Sequence, residues 1–245
     1  MMEDRILAVH DGDILRVTLN RPEEGNIFTN QMIGELRDII QDVPDTCKLI
    51  VLRGNGPDFC LGRDIKSVDM SGPLPEALAM RRQNEVIFDC YGCLRSAKVP
   101  VVAVVQGRAR GFGCALAGAA DITIAADDAV FQLPEMGHGV MPGMAMAALV
   151  DRVPRKGFYY LFLTGQAVDA ERAISFGLAS DVTPAANLNA RVAELERALL
   201  RPARVATEAV RQYARSAIGL DAAAATDLAR NLHATLNSSS ELKSH

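Results

Sequence analysis

With 245 residues, 49% of them apolar, the chain is long enough for one sizeable core, or for one domain with a small appendage. Its 26 basic and 30 acidic residues give a net charge of −4 with no long run of either sign, which speaks against a general nucleic-acid surface and a polybasic membrane anchor. No apolar run reaches membrane-spanning length, and the start carries Glu3 and Asp4 rather than a secretory leader, so the expectation is a cytoplasmic protein with reduced thiols at Cys47, Cys60, Cys90, Cys93 and Cys114.

In chain order, Leu15, Val17 and Leu19 alternate with Arg16, Thr18 and Asn20, which predicts a half-buried strand behind an Asp11-Gly12 hairpin turn. Asn30 suits the cap of a helix whose apolar face is Ile33, Leu36, Ile39 and Ile40. Residues 48–53 predict a buried strand that stops at Gly54-Asn55-Gly56-Pro57. A loop through Phe59, Gly62 and Ile65 follows, then a polar stretch over 69–75 and a long helix over about 75–94. The apolar run 101–105 leads through a glycine-rich turn into a small-residue helix, and further strands are expected at 122–126 and 130–132. From about residue 155 the pattern is almost wholly helical, with Leu228, Leu232 and Leu236 on one face of the last helix. The order predicts an α/β core followed by helices, with no internal repeat and no linker. A helical tail of this kind often covers a neighbouring subunit, so an oligomer is expected.

Two stretches carry the chemistry. The strand–turn–helix over 101–115 aims backbone N–H groups and a helix dipole at one point, which suits a phosphate or an oxyanion formed during a reaction. A dinucleotide loop is disfavoured because Leu116 stands where a third glycine belongs, and a phosphate loop because no Lys follows the glycines. The plainer alternative is that the glycines only allow helix and strand to pack closely. The second stretch, 131–143, sets Glu135 among apolar residues between Pro and Gly. A desolvated Glu has a raised pKa and suits a proton shuttle; the alternatives are a helix cap near Gly143 or a pair with Arg152. Cys90 and Cys93 lack the second pair or nearby His of a zinc or redox site, and no His/Asp/Glu cluster has metal-ligand spacing. Cys60 and Cys114 read as small buried hydrophobes.

These residues carry a resemblance. Phe59, Gly62, Asp64 and Ile65; then Lys98, Pro100, the valine run and Gly107; then Gly111, Gly113 and Cys114; then Phe131, Pro134 and Glu135; then Pro142 and Gly143 stand in the order and spacing of the crotonase family, the enoyl-CoA hydratase/isomerase superfamily. Asn20-Arg21-Pro22 with Asn26, and Leu163-Thr164-Gly165, extend it, so that it covers about residues 5–235. The resemblance implies a ββα spiral core over 1–190 that binds acyl-CoA, and a helical C-terminal region over 191–245 that packs in a homotrimer or dimer of trimers. It implies no cofactor beyond the CoA thioester of the substrate. The thioester oxygen would sit between the backbone N–H groups of Arg63 and Phe112, with Glu135 as catalytic base. Asn26, Leu61, Gly62, Asp64, Ile65, Gly111, Ala115, Pro134 and Pro142 would line the substrate site.

The chain departs from the family at Ala115, where hydratases carry a first Glu. Hydration needs two carboxylates; moving a proton between two carbons needs one. The expected activity is therefore that of a Δ3,Δ2-enoyl-CoA isomerase, with a hydratase, hydrolase, decarboxylase or weakly catalytic binding protein as alternatives. Gly143 stands where some members carry a further Asp. By position His138 matches a packed, apolar site rather than a second acid or base, and Tyr91 is a lesser candidate for the acyl pocket. The Arg63 side chain reaches the CoA phosphates or faces solvent or a neighbouring subunit. Phe112 would narrow the pocket.

Overall fold

Gly12, at φ 58°, turns the chain between β1 (Ile6–Asp11) and β2 (Ile14–Leu19), which pair antiparallel as the sequence predicts. The structure, a computed structural model, describes residues 5–64, 76–240 and 242. After β2 comes α1 (Asn30–Gln41), whose cap is Thr29 and not the expected Asn30. The Thr29 hydroxyl accepts the Met32 N–H at 3.2 Å from an extended backbone, while Asn30 is already helical. Met32, Ile33, Leu36 and Ile40 are buried, so the predicted apolar face holds.

Next are β3 (Leu49–Gly54) and α2 (Ala77–Ser96), the latter displaced C-terminally from the expected 75–94. β4 (Val101–Val105) is buried throughout, as a central parallel strand must be. The glycine-rich segment after it is not one turn: it contains a short strand, β5 (Arg108–Arg110), before α3 (Phe112–Ala119). β6 (Ile122–Ala126), β7 (Val130–Gln132) and α4 (Gly143–Leu149) follow where expected. The remainder holds α5 (Arg155–Thr164), α6 (Ala170–Ser175), α7 (Leu188–Leu200), α8 (Arg204–Ala217) and α9 (Ala222–Asn237). It is not wholly helical, because β8 (Val168–Asp169) and β9 (Asp181–Thr183) interrupt it. Strands of two and three residues are too short to show a period of two.

Six strands form one sheet in the order β1-β2-β3-β4-β6-β9, parallel from β2 onward. β5, β7 and β8 form a second sheet, prolonged by single bridges between Cys60 and Ala109 and between Phe28 and Arg63. Four times the chain runs from the large sheet to this second layer and then into a helix, which is the ββα spiral. Side-chain alternation splits the core at the large sheet. Val17, Ile50, Leu52 and Ala103 face the main core, while Val51, Val102, Val104 and Ile124 pack with Leu188 and Val192 of α7.

α8 is fastened to the body by arginines. Arg211, 7% exposed, pairs with Asp121 at 3.0 Å and donates to the Val99 and Leu94 carbonyls. Arg215 donates to the Arg95 carbonyl, Arg95 to the carbonyls of Ala147 and Ala148, and Arg152 to that of Ala119. These are the unsatisfied carbonyls at the ends of α2, α4 and α3, where cations are stabilising. Leu228, Leu232 and Leu236 of α9 are half-buried. Among the described residues no helix is long and apolar enough to cross a membrane.

Candidate active site

Backbone pairing builds the site. β5 runs parallel to β7 with Arg110 opposite Gln132, and the Gly111 N–H donates to the Gln132 carbonyl at 2.8 Å. Gly111, at φ 51°, then turns the chain into α3, in a conformation that a side chain would strain. A Cβ there would lie 3.1 Å from Glu135 Oε1, so the carboxylate hangs over the turn. Gly113 is needed for the other reason: a Cβ would stand 2.3 Å from the Cys60 carbonyl oxygen. The close-packing alternative therefore holds at Gly113. Phe112 is the first residue of α3, and among the described residues its N–H has no acceptor.

The second loop presents Arg63 in the same way. The Phe28 N–H donates to the Gly62 carbonyl at 3.0 Å, and the Asp64 N–H to the Phe28 carbonyl at 2.8 Å. This parallel bridge uses the residues on either side of Arg63 and turns the Arg63 N–H away from the partner strand. Among the described residues that N–H also lacks an acceptor. Arg63 and Phe112 line one cavity of about 300 Å³.

Its walls are largely apolar, from Ile87 and Tyr91 of α2, Leu61, Met141, and Met144 and Ala145 of α4. The Phe112 ring packs 4.7 Å from that of Phe28 and 5.1 Å from that of Tyr91. The Tyr91 hydroxyl donates to the Phe112 carbonyl at 3.4 Å, and burial pushes its pKa far above the ordinary range, so the phenol stays neutral. Glu135 opens a single 3-10 turn over Glu135–His138. Its Oε2 is buried without a hydrogen-bond partner, and burial raises its pKa, opposed by its backbone hydrogen bond and by Arg110 and His138. Glu135 does not cap α4, which has no side-chain cap, and Arg152 faces Asp121 instead.

Of the expected site residues, the structure brings Leu61, Gly62, Arg63, Gly111, Phe112, Pro134, Glu135 and Pro142 to this cavity. Asn26 is not among its walls. It is buried, accepts the Arg21 N–H at 2.9 Å and donates to the Asn55 and Asp58 carbonyls, so it fastens a loop. Asp64 is half-buried outside the wall. Ala115 is fully buried behind the turn and offers no acid there. Ile65 lies outside the described residues. His138 is not packed as its position suggested: it is exposed and lines the cavity, because the 3-10 turn carries it to the rim. Arg110 and Ile87 were not anticipated; the i, i+4 spacing of Ile87 and Tyr91 was the available signal. Cys60 and Cys114 are buried and burial raises both thiols, that of Cys60 to about 12, which suits packing and not catalysis.

The family model described as enoyl-CoA hydratase/isomerase matches residues 10–244. The chain is 33% identical over 225 residues to the Mycobacterium bovis protein named probable enoyl-CoA hydratase echA8, across 89% of this chain and 85% of that protein. Among solved structures, the human enoyl Coenzyme A hydratase domain-containing protein 3 superposes with a TM-score of 0.90 at 23% identity, over 98% of this chain and 94% of that one, a likeness of fold. A Thermobifida fusca YX structure in complex with acetoacetyl-CoA gives a TM-score of 0.84 at 30% identity, over 94% of each chain.

Proposed function

The chain belongs to the enoyl-CoA hydratase/isomerase family, and from that premise we propose that it shifts the double bond of an enoyl-CoA thioester with Glu135 as the single proton shuttle. The observation that carries this reading is the buried, unpartnered Glu135 Oε2 in a cavity shared with the two open amides of Arg63 and Phe112. The acetoacetyl-CoA bound by the Thermobifida fusca relative supports a thioester as the ligand class.

In a 3-enoyl-CoA, the Glu135 carboxylate takes a proton from C2. The electron pair moves onto the thioester oxygen, giving a dienolate whose negative charge the two N–H groups hold. Preorganised donors of this kind contribute about 3 kcal/mol each to transition-state stabilisation. The same carboxyl then returns the proton to C4, and the double bond ends between C2 and C3. A pKa raised by burial helps both halves, since one group must accept and then donate. Because the donors belong to the backbone, the large side chains of Arg63 and Phe112 are compatible with the role.

Hydration is the second reading. The Mycobacterium bovis relative is named a hydratase, and His138, exposed on the rim of the cavity, is a further group that could act on water. Incubation with hex-3-enoyl-CoA separates the two: isomerisation yields hex-2-enoyl-CoA, and its further conversion to 3-hydroxyhexanoyl-CoA at a comparable rate favours hydration. For the assembly we propose a homotrimer or dimer of trimers, consistent with Val210 and Ile218 exposed at 70% and 60% along α8 and just beyond it.

A further inference from the structure

We propose that the Arg63 guanidinium binds a carboxylate at the far end of the acyl group, so that the preferred substrate is the mono-CoA thioester of an unsaturated dicarboxylic acid. This rests on the reading of the cavity as an enoyl-CoA site.

Arg63 has two separable parts. Its N–H is turned away from Phe28 by the bridge on a residue that lines the cavity, and that role leaves the side chain free for other work. That side chain is half-buried, yet among the described residues its guanidinium has no ion pair and no hydrogen bond. Arg16, Arg95, Arg152, Arg204 and Arg211 each face a carboxylate, and half-buried Arg53 reaches the Asn189 side-chain oxygen, whereas Arg63 makes neither contact among the described residues. A half-buried cation with Asp64 near it but no carboxylate hydrogen-bonded to it is costly, and burial lowers the Arg63 pKa without removing its charge. An anionic ligand group repays that cost with bidentate, charge-assisted hydrogen bonds.

Position selects the acyl end of the ligand. Arg63 lines the same cavity as Tyr91, a buried residue stacked on Phe112. Arg63 is thus part of the wall of the chamber that holds the two open amides. Charge agrees with this placement. Arg110 acts electrostatically on Glu135, which leaves Arg63 as a second cation of the lining with no carboxylate paired to it among the described residues. An alkyl chain would leave that positive excess unanswered, whereas a short chain along Ile87, Met144 and Ala145 ending in a carboxylate answers it.

The test uses saturated ligands, which cannot isomerise, so the result stands apart from whether the enzyme is an isomerase. Calorimetric titration of the full chain with hexanedioyl-CoA (the monothioester), hexanoyl-CoA and free CoA should show the diacid ligand binding at least about tenfold more tightly than hexanoyl-CoA. Arg63→Met should bring that ratio close to one, and Arg63→Lys should retain part of it. Equal affinities of the two acyl-CoAs in the unmodified protein overturn the proposal, as does a preference that survives Arg63→Met. So does an Arg63→Met variant that weakens free CoA as much as the diacid, which would place the guanidinium on a CoA phosphate. Failure of every CoA ligand to bind overturns the acyl-CoA reading itself and the proposal with it. Should Arg63→Met fail to fold, Arg63→Gln takes its place, and the comparison in the unmodified protein decides independently of either.

Discussion

Two sets of buried charge lie in this molecule, and they are handled in opposite ways. Under α8, Arg211, Arg152, Arg95 and Arg215 share Asp121, Asp151 and the carbonyl ends of three helices; each of the first three has a buried Nε without an acceptor but a paired Nη2 or Nη1. In the cavity, Glu135 keeps an oxygen unpaired and Arg63 makes no hydrogen-bonded ion pair among the described residues. Protein interiors avoid unpaired charge, so its persistence beside two unpaired amides marks the place where a ligand completes the bonding. The paired set holds the fold; in the proposed function the unpaired set serves the chemistry.

Substitutions can break that contrast. Glu135→Gln keeps the shape and removes the charge. We expect turnover of hex-3-enoyl-CoA to fall by about 10³-fold. The folded-state pKa of Glu135 is raised, so ionising it costs stability once pH rises through that value; the Gln variant lacks this cost and should melt no lower at neutral pH. Steady-state kinetics with a thermal melt read both, and a large loss of stability would show that Glu135 belongs with the structural set. Arg211→Met should do the reverse. It strands Asp121 without its nearest partner and costs about 3 kcal/mol in urea unfolding, with activity per folded molecule retained. Arg110→Met is the finest probe. Arg110 opposes the burial that raises Glu135, so its removal should move the acid limb of the kcat/KM pH profile further upward. A limb that stays put would detach Arg110 from the base.

The residues explain what could be read beforehand. The run of valines into a glycine turn, and a Glu between Pro and Gly, announce their roles locally, because a buried parallel strand and a positive-φ turn each demand particular residue types. β8 and β9 are too short for any periodicity. His138 reaches the rim through one 3-10 turn, whose direction depends on where Gly139, at φ 69°, releases it. Tyr91 and Ile87 look like ordinary core residues of a long helix; only the crossing of α2 over the start of α3 gives them a cavity to line. The arginine cluster joins residues more than one hundred positions apart, which no local pattern encodes.

The central claim is that one carboxyl both removes and returns the proton, and isotopic transfer tests it directly. With hex-3-enoyl-CoA deuterated at C2, the shielded Glu135 should deliver part of that deuterium to C4 of hex-2-enoyl-CoA, detected by mass spectrometry, with no oxygen gained from labelled water. A product whose C4 hydrogen comes wholly from solvent, or one that carries the water oxygen at C3, would contradict the account.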